Sequence, residues 1–127
     1  MRPVNLFLTE DCVLKLGTYG LTTQSECYGI KGTNCNGVRS FASEVFKGEY
    51  EMKSDVWSLG IALIELMGIR PYYWRDNDGL PTMNGCFELP FRENTIKSVE
   101  LADFLKKCFE RVYFRWSVIE LMDVSVM

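Results

Sequence analysis

The sequence predicts a mainly α domain in which one small β-hairpin lies on a helical core. Residues 52–67 are apolar almost all round, as in a helix buried on most of its sides. Leu101, Phe104, Leu105, Cys108 and Phe109 repeat at the i, i+3, i+4, i+7, i+8 spacing of a second helix with one buried face. Strand-like runs are confined to two short stretches near the N-terminus.

Leu6-Phe7-Leu8 and Val13-Leu14-Lys15-Leu16 are separated by Thr9-Glu10-Asp11-Cys12, which reads as two short strands and a tight turn. A lone two-stranded hairpin is marginal in water, so this one is expected to lie on the helices. Residues 22–40 are rich in Thr, Ser, Asn and Gly without periodicity and read as a loop. A short helical turn over about 41–48 stops at Gly48. Ser54 is expected to cap the long helix, which then starts near Asp55, where an acidic residue suits the helix dipole. Gly68 ends that helix and Pro71 follows. Residues 71–91 hold all but one of the prolines and read as an irregular crossing. Ser98 opens the second long helix, and a last helix runs from about Ser117 to Val124.

The 127 residues suffice for one domain, 1–127, with a sizeable core. A net charge of −3 without a basic stripe gives no sign of nucleic acid or an acidic membrane surface as a partner. The longest apolar run, around 59–67, is interrupted by Gly60 and Glu65 and falls short of a membrane span. Residues 1–11 lack the apolar region of a signal peptide, so a cytoplasmic or nuclear location is expected. Cys12, Cys27, Cys35, Cys86 and Cys108 are widely spaced and no Cys-x-x-Cys occurs. They are expected to be reduced and mostly buried. With no histidine in the chain, a Cys/His zinc site, a Ser-His-Asp triad and a Cys-His dyad are excluded.

Five stretches then fall into a known order. They are Arg2-Pro3-Val4-Asn5-Leu6-Phe7-Leu8, Leu14-Lys15-Leu16-Gly17-Thr18-Tyr19-Gly20, Ala42-Ser43-Glu44, Asp55-Val56-Trp57-Ser58-Leu59-Gly60 and Arg115. Together they resemble the large, C-terminal lobe of a eukaryotic protein kinase of Ser/Thr type, from residue 1 to the end of the chain. Gly37-Val38-Arg39-Ser40-Phe41 is similar to the substrate-side loop of the MAP-kinase-kinase and sterile-20 groups.

The resemblance implies roles residue by residue. Arg2 stands at the catalytic-loop lysine and Asn5 at a Mg²⁺ ligand. Thr18 stands where the metal-loop aspartate would be, and a neutral hydroxyl is a poor ligand for so hard a cation. Phe7 falls at the floor of the adenine site. Glu44 and Arg115 are expected to form a buried bidentate ion pair. Asp55 would brace the catalytic-loop backbone, and Trp57 would pack in the core.

Kinases position ATP and Mg²⁺ with a Gly-rich loop, a Lys–Glu pair and catalytic-loop carboxylates. This chain contains no Gly-x-Gly-x-x-Gly, no Val-Ala-Ile-Lys and, lacking histidine, no His-Arg-Asp. The aspartate of that motif would fall just upstream of Met1. The expectation is therefore a non-catalytic, pseudokinase-like lobe that needs no cofactor of its own. It would bind a protein partner, or a second copy of itself, through an exposed cleft face. The alternative is the C-terminal part of a Ser/Thr kinase whose N-terminal half is missing from this chain.

Overall fold

A computed structural model describes residues 3–17, 41–46, 48, 49, 51–71 and 89–123. A 3-10 turn at Pro3–Asn5 leads into strands β1 (Leu6–Leu8) and β2 (Leu14–Leu16). Helices α1 (Ser43–Phe46), α2 (Met52–Leu66), α3 (Val99–Cys108) and α4 (Val118–Met122) follow, with a second 3-10 turn at Glu93–Thr95 before α3. The fold is mainly α with one two-stranded antiparallel sheet. The loop expected over 22–40 and most of the crossing expected over 71–91 lie outside the described residues.

In the hairpin Leu6 pairs with Leu16, Phe7 with Lys15 and Leu8 with Leu14. Because alternate residues share a face, Leu6, Leu8, Leu14 and Leu16 line one side and Phe7 and Lys15 the other. The connection is a three-residue loop. Thr9 N–H donates to the Val13 carbonyl at 3.0 Å, and Cys12 N–H donates to the Thr9 carbonyl at 2.9 Å. Cys12 adopts φ 61°, the left-handed conformation such a loop requires at its last position. That placement exposes Cys12, whereas Cys108 is buried; Cys27, Cys35 and Cys86 lie outside the described residues.

The helical core carries the hairpin, as expected, with most of the hairpin's leucine face turned to solvent. Leu8, Leu14 and Leu16 are exposed, and Leu6 is half-buried. The attachment is at the open end, where the 3-10 turn Pro3–Asn5 packs on α2 and Gly17 N–H donates to the Asn5 carbonyl at 2.8 Å.

Helix α2 begins three residues before the expected start, with Glu51 as N-cap. Ser54 is not the cap but the third helical residue, and its Oγ accepts the Glu51 N–H at 3.1 Å. At the other end Gly68, at φ +74°, donates to the Glu65 carbonyl and Ile69 N–H reaches back to the Ile64 carbonyl. This is a Schellman closure, in which glycine takes the left-handed position cheaply. Gly48 and Glu49 close α1 by the same pair of bonds, to the Val45 and Glu44 carbonyls. Ser98 caps α3 by accepting the Leu101 N–H at 3.1 Å. Ser117 caps α4 in a capping box with Glu120, and the helix ends at Met122, with Asp123 as its C-cap; Val124 lies outside the described residues.

The main core gathers around α2. Trp57, Ile61 and Ile64 meet Ala42 and Val45 from the α1 region, and Phe91, Ile96, Leu105 and Phe109 from the second half of the chain. A smaller cluster joins Val56 to Cys108 and Leu121, which fastens α4 to the helix pair. Among the described residues no helix is long and apolar enough to cross a membrane.

The α2–α3 contact depends on Gly60. A Cβ there would stand 2.7 and 2.9 Å from carbons of the Phe109 ring and 3.0 Å from the Cys108 Cβ. Overpacking of this kind costs about 1–3 kcal/mol. Gly60→Ala should therefore lower the urea midpoint by a corresponding amount without changing the slope of the transition.

Candidate functional site

Arg115 lies in the connection between α3 and α4, and its side chain is only 1% exposed. A guanidinium out of water needs acceptors for its N–H groups and a counter-charge. Nη1 and Nη2 meet the two oxygens of Glu44, at 2.5 and 3.2 Å, in a bidentate fork. Nη1 also donates to the Lys53 carbonyl at 2.9 Å, and Nε to the Glu110 carbonyl at 3.0 Å. The flat face of the group sits 5.2 Å from the centroid of the Trp57 ring. One side chain thereby ties α1, the first turn of α2 and the α3–α4 connection together.

Glu44 is equally enclosed. Ser54 Oγ donates to its Oε1 at 3.1 Å while accepting the Glu51 N–H, so the α2 start and the ion pair share one hydroxyl. Burial pulls the Glu44 carboxyl upward. Hydrogen bonds from Arg115, its own backbone N–H and Ser54, together with the Arg115 charge, outweigh burial and hold it below the ordinary value of 4.5. The Cys108 thiol goes the other way: burial pushes it up to about 12, only partly opposed by Arg115, which leaves an inert core thiol at neutral pH.

Trp57 packs edge-on against Phe109, centroids 4.9 Å apart and planes at 79°. Its buried indole N–H has no hydrogen-bond partner among the described residues. Asp55 is exposed in the first turn of α2, the helix on which the Pro3–Asn5 turn packs. Asn5 is half-buried and its carbonyl closes the hairpin onto Gly17. Phe7 is 55% exposed and lies against Gly17 so closely that a Cβ there would stand 2.5 Å from the ring. Arg2 and Thr18 lie outside the described residues. The structure thus brings Glu44, Trp57 and Arg115 into one cluster, with Asp55 on the same helix as Trp57, Asn5 in the 3-10 turn that packs on that helix, and Phe7 on the hairpin that follows.

The sequence matches the family described as the protein kinase domain over residues 1–127. The chain belongs to the protein kinase family. Kinase relatives include serine/threonine-protein kinase pakE of Dictyostelium discoideum, 38% identical over 92 residues, which is 71% of this chain and 10% of that protein. Serine/threonine-protein kinase Nek9 of Xenopus laevis is 29% identical over 119 residues, 87% of this chain and 12% of that protein. Serine/threonine-protein kinase pakH of Dictyostelium discoideum is 29% identical over 128 residues, 97% of this chain and 25% of that protein. The chain spans between a tenth and a quarter of the length of these curated relatives.

Protein kinases use ATP with Mg²⁺, which prefers hard anionic oxygens. Within the described stretch 3–17, no carboxylate is adjacent to Asn5 along the chain. Residues 3–17 carry two carboxylates, Glu10 and Asp11, and both sit in the exposed turn at the far end of the hairpin. At ~3.3 Å per strand residue they are on the order of 10 Å or more from Asn5. Among the described residues no cluster of three His, Cys, Asp or Glu side chains could hold a metal.

Two features of this cluster carry no motif signal. The bridging role of Ser54 was hidden because a serine before an acidic residue also reads as a cap. The carbonyls of Lys53 and Glu110 have no signature in side-chain identity at all.

The lowered Glu44 group sets a pH dependence. A carboxyl depressed on folding contributes stability that is fully present above its unfolded value and is lost as pH falls through the folded one. Stability is therefore expected to decline below about pH 4.5, and Glu44→Gln should flatten that part of the acid limb while costing about 3–5 kcal/mol at neutral pH. Urea titrations across the acid range read both effects, and a Glu44→Gln profile parallel to wild type would refute the assignment.

Proposed function

We propose that this chain, over 1–127, is the large C-terminal lobe of a Ser/Thr-type protein kinase domain, similar to the MAP-kinase-kinase and sterile-20 groups. In this form it engages proteins rather than transferring phosphate. The observation that carries the reading is the Asn5–Gly17 junction. The 2.8 Å bond between them joins the two stretches that hold the metal in the family. At that junction the sequence offers an amide at Asn5 and a hydroxyl at Thr18, with no carboxylate at either position. Phosphoryl transfer depends on charge neutralisation by the metal, and that donor pair does not supply it.

The contact surface of this reading is the hairpin. Leu8 and Leu14 are 67% and 64% exposed on its leucine face, and Phe7 is exposed on the opposite one. Exposed apolar patches of this kind mark interaction sites. Either a protein partner or a second copy of the chain would cover it, in a cytoplasmic or nuclear setting and without nucleic acid.

A second reading is the C-terminal part of a longer Ser/Thr kinase, completed by residues outside this chain. It is favoured by the three relatives described above, each named a serine/threonine-protein kinase, of which the chain covers 10% to 25%.

Thermal unfolding with and without Mg²⁺-ATP tests the first reading directly. The isolated chain should show no magnesium-dependent rise in Tm, and a saturable rise would overturn the proposal. Sedimentation velocity on wild type and the Leu8→Lys, Leu14→Lys double variant tests the surface. Loss of association, or of a captured protein partner, in the variant is the expected result. A wild type that neither associates nor binds protein would refute the interaction role.

A further inference from the structure

We draw no further inference here: the strongest candidate, the exposed leucine face of the hairpin formed by Leu6, Leu8, Leu14 and Leu16, belongs to the surface already described, and nothing in the structure shows which occupant covers it.

Discussion

Arg115 is a permanent cation almost wholly removed from water, and its surroundings must match it in charge, in acceptors and in shape. Glu44 supplies the charge and Trp57 a flat apolar wall. The Lys53 and Glu110 carbonyls each take a further N–H donor. None of these groups is close to Arg115 in sequence except Glu110, so the pair forms only when α1, α2 and the α3–α4 connection are already in register. Burying an ion pair gains little net stability compared with an apolar replacement of the same shape. Removing one partner, in contrast, leaves a buried charge unmatched and costs about 3–5 kcal/mol. The bridge is therefore best understood as selecting one arrangement of the helices, with the apolar core around Ile61, Leu105 and Phe109 supplying most of the driving force.

Much of this arrangement is legible in the residues. The closing glycines Gly48 and Gly68, the Ser98 and Ser117 caps and the helical stripe from Leu101 to Phe109 are local signals, and each acts where local chemistry places it. The long-range pairing of Glu44 with Arg115 carries no local signal; only the resemblance to a family suggests it. The start of α2 is ambiguous in the sequence because a serine hydroxyl can serve a helix as cap or as third residue. Tertiary demand from Glu44 selects the second. The solvent exposure of the hairpin's leucine face has no local signal either. Apolar alternation predicts a face that wants covering, and says nothing about whether the same chain covers it.

That distinction shapes the functional reading. The interior elements, α1, α2 and α3, satisfy one another: Gly60 lets Phe109 approach, and Ser54 joins the helix start to the ion pair. The hairpin that would carry the chemistry is held at one end and offers leucines and a phenylalanine to solvent. A well-determined frame thus supports an edge that, in the function proposed above, lacks the carboxylates the metal needs. Phosphoryl transfer places its demands on that edge, whereas recognition of a partner needs only the frame and the apolar surface it displays.

The most direct test of the central bridge is a double-mutant cycle on Arg115→Met and Glu44→Leu, read by urea unfolding in sucrose so that all variants stay folded. Each single variant should lose about 3–5 kcal/mol, because each leaves its partner's charge buried and unmatched. The double variant should recover most of that loss, giving a large coupling energy. Small single effects that add to within about 0.5 kcal/mol would contradict the account, since independence is what sites without a shared interaction show.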